Sequence, residues 1–285
     1  MNFSTKFIST ILDIEEYGSV SQPRDLKVKE LLFDHIEIDP RQPIADFAAR
    51  PFNWKYLAGE LAWYLKQDRD VNYIGAFSSF WSNITNPDTN EINSNYGSLV
   101  FNNDQLGWVI KSLIKDRNSR QAIMFFNQPK FQFEGNKDFV CTMYANFMIR
   151  DGKLDMKVQM RSNDIFYGLT FDAPFFSFLH QSVYLILKDT YSDLQLGTYH
   201  HFADNIHFYE RHFELADKIR VEQPNQASSF TLETKLIDYD TNDGFSLTAD
   251  GQEFINMIDS TINEEGKAEA TREDYKLILS NYFKI

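Results

Sequence analysis

Cysteine is almost absent from this chain, whose 285 residues carry one, Cys141. A single thiol cannot close an internal disulfide or build a Cys-rich zinc module, and it suits a reducing compartment. No metal site is expected, and the expected location is the cytoplasm. Positive charge is scarce as well, with 28 Lys and Arg against 41 Asp and Glu and a formal net charge of −13. Affinity for a phosphate backbone is assembled from clustered cations, so this balance argues against a general nucleic-acid binder. An anionic small ligand would need a local arginine pocket working against the overall field. Long apolar runs are missing too. Asp13, Glu15 and Glu16 interrupt the N-terminal segment where a signal peptide needs an unbroken apolar stretch, and residues 175–187 include His180 and Gln181 and are too short to cross a bilayer. Neither export nor a membrane span is expected.

Glycine and proline are sparse, at 12 and 8 residues, and no linker or internal repeat divides the chain. Residues 1–285 are therefore expected to form a single domain, burying about three quarters of the surface its unfolded form exposes. What is plentiful is aromatic side chains, 26 Phe and 14 Tyr, enough to build a core without a metal or disulfide staple.

Apolar residues at helical spacing over residues 3–16 predict a first helix, and a Gly/Ser/Pro break follows through Pro23. VKELLFDHIEI alternates as a strand. NWKYLAGELAWYLKQD has apolar residues every three or four positions and reads as a helix. Residues 79–95 turn polar and rich in Asn, Asp and Pro, predicting a long loop across a surface or cleft. FVCTMYANFMIR and KLDMKVQM alternate on either side of Asp151 and Gly152, the pair that a type I′ hairpin demands, which puts Cys141 near the start of a strand. FFSFLHQSVYLILKDTY reads as a buried helix, followed by a short strand near residues 194–201 and helices near 249–263 and 271–282. Mixed elements without a regular βαβ beat predict an α+β fold, one large mixed, mostly antiparallel sheet covered by helices.

Taken singly, the residues that could carry chemistry say little. A free cysteine is more often a small buried hydrophobe than a nucleophile, and reactivity would need nearby positive charge, for which Arg161 and Arg120 are the candidates. A cysteine hydrolase would want an imidazole base, and none of the six histidines sits in a recognisable partner motif. Isolated arginines are usually solvated, although the guanidinium of Arg120 or Arg161, helped by the Ser162 hydroxyl, is suited to gripping a phosphate.

Several motifs in order change this reading. Glu60 in GELAWYL, Trp81 in FWSNI, Tyr96 in SNYG, Arg120 in NSRQ, Cys141, RSND at 161–164, GLTFD at 168–172 and IHFY at 206–209 together resemble the thymidylate synthase family over about residues 3–213, and the closing FKI resembles its tail. Within that family EINSNYG, Thr142 directly after the cysteine, MRSND, and Asp172 in place of the family's asparagine look most like the deoxycytidylate hydroxymethylases of T-even phages. The resemblance implies a homodimer with the sheet at its interface, and 5,10-methylenetetrahydrofolate as co-substrate of a pyrimidine nucleoside monophosphate. It implies that Cys141 attacks carbon 6, that Glu60 organises proton transfers, and that Tyr96 donates near the thiol. Arg24, Arg161 and Ser162 would hold the phosphate, Arg120 would reach it from the partner subunit, and His207 and Tyr209 would bind the sugar hydroxyl. Asp164, Trp81, Gly168 and Phe171 would contact the folate. The pattern frays where the family's Gly/Thr-rich loop is missing after Arg24 and where Gln121 replaces a second arginine, leaving Arg117 as a possible substitute.

Asp172 carries the expected specificity. Uracil shows a ring N–H beside a carbonyl, which an asparagine amide complements, whereas cytosine shows an amine beside an unprotonated nitrogen, which a proton-sharing carboxyl complements. A mismatch leaves buried polar groups unpaired at about 1–3 kcal/mol each. The expected activity is therefore hydroxymethylation of carbon 5 of dCMP. The alternatives are a thymidylate synthase, a dUMP or CMP hydroxymethylase, or a non-catalytic nucleotide-binding homologue. A simpler role for Asp172 is also open, as a cap of the helix that begins near Pro174.

Overall fold

The structure is a computed structural model that describes residues 2–85, 89–223 and 228–285. Helix α1 (Phe3–Tyr17) starts where the Asn2 side chain accepts from Thr5 N and buries Phe3, Phe7, Ile11 and Ile14 on one face. The short β1 (Ser19–Ser21) pairs with the long β2 (Val28–Ile38). Helix α2 (Trp54–Lys66), capped by Asn53, is buried on nearly every side, so Glu60 is carried into the interior. Short α3 (Val71–Gly75) and α4 (Tyr96–Val100) flank the expected loop, which holds a 3₁₀ turn at Ser79–Asn83; residues 86–88 of that loop lie outside the described residues. Helix α5 (Gln105–Lys115) and β3 (Ile123–Phe125) follow.

The predicted hairpin is present as β4 (Thr142–Arg150) and β5 (Lys153–Met160), with Asp151 at φ 49° and Gly152 at φ 75°, both in the left-handed region a type I′ turn requires. Cys141 immediately precedes β4. After β5 the chain makes the two-residue β6 (Asn163–Asp164), one π-helical turn (Ile165–Leu169) and the 19-residue α6 (Thr170–Lys188). Strand β7 (Gln195–Tyr209) is far longer than the strand expected near residues 194–201 and absorbs the IHFY segment. The C-terminal part contains α7 (Phe213–Arg220), β8 (Thr231–Leu232), a hairpin of β9 (Ile237–Asp240) and β10 (Gly244–Leu247), α8 (Ala249–Asp259), α9 (Arg272–Ser280) and β11 (Phe283–Lys284).

The main sheet runs β1-β2-β7-β5-β4-β3, with β6 added to β7. It is mixed and mostly antiparallel, as expected, because only the β5–β7 and β6–β7 pairs are parallel. Tyr199, His201 and Ala203 of β7 are buried on the face where Tyr199 packs on Phe176; beyond Asp204, across from Phe33 at φ 60°, the fully buried residues are Ile206 and Phe208. On the other face His200 and Phe202 stack against His35 of β2, whereas Phe208, beyond the switch, packs on the core ring Phe166 and on Phe213. No helix among the described residues is long and apolar enough to cross a membrane.

Candidate active site

Most of the candidate residues gather where α2, the start of β4, the β5–β6 turn, the start of α6 and the end of β7 meet. Cys141 is half-buried. Arg161, just after β5, points back at it and donates from Nη2 to Sγ at 3.4 Å, from Nε to Val140 O at 3.1 Å, and from Nη2 to Phe139 O. Its Nη1 has no partner among the described residues and remains available to a ligand. Burial nevertheless pushes the thiol up, with Asp172 and Asp138 adding to the rise and Arg161 and Arg24 opposing it. The expected thiolate-favouring environment is thus only partly present, because desolvation outweighs the guanidinium.

Glu60 is buried, and its Oε1 accepts from Tyr56 Oη at 2.9 Å and from Tyr64 Oη at 3.2 Å. Tyr56 in turn accepts from Trp81 Nε1 at 3.0 Å. Desolvation raises the Glu60 carboxyl to about 8, Asp172 pushes in the same direction, and the two phenols oppose it. The tyrosines were not singled out from the sequence, yet positions 56, 60 and 64 follow the i, i+4, i+8 spacing of one helix face. Tyr96 stacks on Tyr64 with ring centroids 5.5 Å apart and shares a 2.8 Å hydrogen bond with the Thr142 hydroxyl. Asp172 and Cys141 act on the Tyr96 phenol, which burial holds well above its ordinary range.

Asp172 lies inside the first turn of α6 and makes no capping bond, so the simpler role is not realised. Its Oδ2 accepts instead from Asn163 Nδ2 at 2.7 Å, a strong local competitor across the β6–α6 turn. Desolvation raises this carboxyl to about 6. Asp164 does cap, since its Oδ1 accepts from Phe166 N at 2.7 Å and Tyr167 N at 3.0 Å, while its buried Oδ2 has no partner among the described residues. Burial raises it to about 6 as well.

His207 and Tyr209 share a face of β7 with ring centroids 5.3 Å apart, and His207 Nδ1 is 2.9 Å from Asn205 Oδ1. Desolvation lowers His207 to about 4, leaving a neutral imidazole. Arg24 is exposed, in the left-handed region at φ 51°, and its charge reaches Cys141, His207 and Tyr209. Ser162 is half-buried, and Phe171 packs on Tyr56 at 4.5 Å. Gly168 has a packing reason of its own, because a Cβ there would sit 2.7 Å from Asn163 Nδ2.

Two arginines lie apart. Arg120 is exposed and no described interaction joins it to this cluster. Arg117, the substitute envisaged, is held elsewhere, with both of its Nη groups donating to Asp193, at 3.1 and 2.8 Å, and the guanidinium stacked on Tyr191. One group of possible metal ligands, His35, Glu37 and His200, occurs among the described residues. Its residues belong to β2 and β7.

Comparison with known proteins identifies the family. The thymidylate synthase family profile matches residues 5–250. The deoxycytidylate 5-hydroxymethyltransferase of Enterobacteria phage T4 is 30% identical over 226 residues, covering 74% of this chain and 92% of that protein. The deoxyuridylate hydroxymethyltransferase of Bacillus phage SP01 is 28% identical over 218 residues, 71% of this chain and 55% of that protein. The thymidylate synthase of Mycoplasma pneumoniae is 25% identical over 248 residues, 73% and 82% respectively. With most of its length matched by the family profile, the chain belongs to the thymidylate synthase family.

Proposed function

We propose that the chain hydroxymethylates carbon 5 of deoxycytidine monophosphate, using methylenetetrahydrofolate. The single observation that carries this reading is Asp172, a carboxyl raised to about 6 and acting electrostatically on both Cys141 and Glu60. A carboxyl that is neutral in part of its population can give a proton to an unprotonated ring nitrogen while accepting from the neighbouring amine, the two features that separate cytosine from uracil.

Cys141 Sγ forms a bond to carbon 6 of the ring, and the displaced π electrons make carbon 5 nucleophilic. Arg161 stabilises the sulfur as it loses its proton, and its free Nη1, together with Ser162 and Arg24, holds the phosphate. His207 and Tyr209 hold the sugar. Glu60, poised near 8 between two phenols, moves protons at the base and orders water, and Tyr96 supports the same face. When carbon 5 has lost its proton and water has added to its new substituent, Sγ leaves carbon 6 and the ring regains its double bond.

The residues present fit the folate. The orphaned Asp164 Oδ2 is an acceptor waiting for N–H donors of a pterin, and Trp81 and Phe171 are mostly buried rings beside Tyr56. When bound, the folate supplies the one-carbon unit. We place the exposed Arg120, which has no partner among the described residues, at the phosphate of a partner subunit, in a homodimer built on the sheet, where Leu32 and Phe33 of β2 are exposed.

The test is incubation of the protein with methylenetetrahydrofolate and each pyrimidine monophosphate, with mass spectrometry of the product. A hydroxymethyl group on dCMP without release of dihydrofolate is expected, and in the Asp172→Asn variant the preferred substrate moves to dUMP. A methylated product, or an unchanged cytosine preference in the variant, overturns the proposal.

A further inference from the structure

Asp172 alone does not select a base. A neutral carboxyl protonated on the oxygen that meets the ring nitrogen complements cytosine, whereas the same carboxyl protonated on its other oxygen presents the acceptor and donor that uracil requires. Discrimination therefore depends on which oxygen carries the proton. The structure holds a device that decides this. Tyr199 Oη lies 2.7 Å from His201 Nδ1, His201 Nε2 lies 3.2 Å from Asn163 Oδ1, and Asn163 Nδ2 lies 2.7 Å from Asp172 Oδ2. The first three of these residues are 0%, 1% and 3% exposed.

We infer that Tyr199, His201 and Asn163 are positioning residues that form a one-way hydrogen-bond chain, fix Asp172 Oδ2 as an acceptor, and thereby confine the carboxyl proton to Oδ1. This rests on the cytosine reading above, in which Oδ1 meets the ring nitrogen and Oδ2 the amine.

The direction follows from counting donors. Burial lowers His201 to about 3, so the imidazole is neutral and has one donor and one acceptor nitrogen. The Tyr199 hydroxyl has no other partner among the described residues, so its hydrogen is satisfied only by donating to Nδ1. The imidazole proton is then on Nε2 and donates to Asn163 Oδ1, which turns the amide N–H₂ toward Asp172. The reverse order strands the tyrosine hydrogen in the core. Asp172 Oδ1 makes no hydrogen bond among the described residues and is left for the ligand. Gly168 permits the close approach, since a Cβ would fall 2.7 Å from Asn163 Nδ2 and 3.2 Å from Asp172 Oδ2.

Two measurements test the chain. The ¹⁵N spectrum of the free wild-type protein reports the His201 tautomer without substrate or turnover; a proton on Nε2 is expected, and a proton on Nδ1 overturns the inference. The dissociation constants of dCMP and dUMP are then measured by calorimetry for wild type and for Asn163→Ala, with folding checked by circular dichroism. With Asn163 gone the carboxyl protonates on either oxygen, and the dCMP:dUMP preference is expected to fall at least tenfold, chiefly through tighter dUMP binding. A folded variant that keeps the wild-type preference overturns the inference, and if Asn163→Ala does not fold the tautomer decides alone. A wild-type protein with the Nε2 tautomer that prefers dUMP sinks the cytosine reading instead, leaving the chain's direction standing.

Discussion

Arg161 Nη2 lies 3.4 Å from Cys141 Sγ, while the same side chain is anchored to the carbonyls of Phe139 and Val140. The guanidinium is thereby fixed by the backbone that precedes the cysteine and cannot drift from it. Its charge offsets part of a desolvation that otherwise raises the thiol. In Arg161→Gln the thiol is expected to titrate higher still. The check is the rate of iodoacetamide alkylation against pH, whose midpoint moves upward in the variant; an unmoved midpoint contradicts the pairing.

Glu60 links pH to stability. Its carboxyl is raised from 4.5 to about 8, so the folded protein holds this proton more tightly than the unfolded chain does. The favourable contribution is complete below about 4.5 and is lost as pH rises to 8 and beyond. Glu60→Gln removes the ionisable group at similar shape. The variant is expected to match wild type in urea unfolding at pH 5 and to exceed it at pH 9 by on the order of a few kcal/mol, while losing turnover.

Tyr56 is both the acceptor for Trp81 Nε1 and a donor to Glu60. Tyr56→Phe leaves a buried indole N–H without its acceptor, at a cost of about 1–3 kcal/mol, and removes one phenol that lowers the Glu60 carboxyl. Denaturant unfolding measures the first effect. A shift of the alkaline limb of the activity profile to higher pH measures the second.

Arg117→Ala is expected to leave nucleotide affinity unchanged, because the guanidinium is already held by Asp193 and Tyr191. Calorimetric titration with the nucleotide is the check, and a large loss of affinity would restore this arginine to the phosphate site.

Local chemistry with a fixed period was legible before any coordinates. The Asp151–Gly152 turn, the helix carrying Glu60 and the buried α6 all follow from spacing and turn residues, because those signals are set within a few residues. Strand β7 was read too short since Asp204 and Asn205 break its apolar alternation, and pairing with β2, β5 and β6 overrides that local pattern. The competition between capping and Asn163 for the Asp172 carboxyl was equally hidden. Both partners are near in sequence, but the π-helical turn that aims them at each other is a tertiary outcome. His201 gave no signal, since alternation predicts the face of a residue and not the atom it meets.

Tyr199 and His201 form one pair on β7, and His207 and Tyr209 form a second pair beyond Asp204. Gaining or losing a single residue at Asp204 would rotate one of these pairs to the far side of the sheet while leaving the other in place. Point changes can tune either end of β7 separately, but an odd-length insertion or deletion between them disconnects the group proposed to touch the sugar from the group proposed to read the ring.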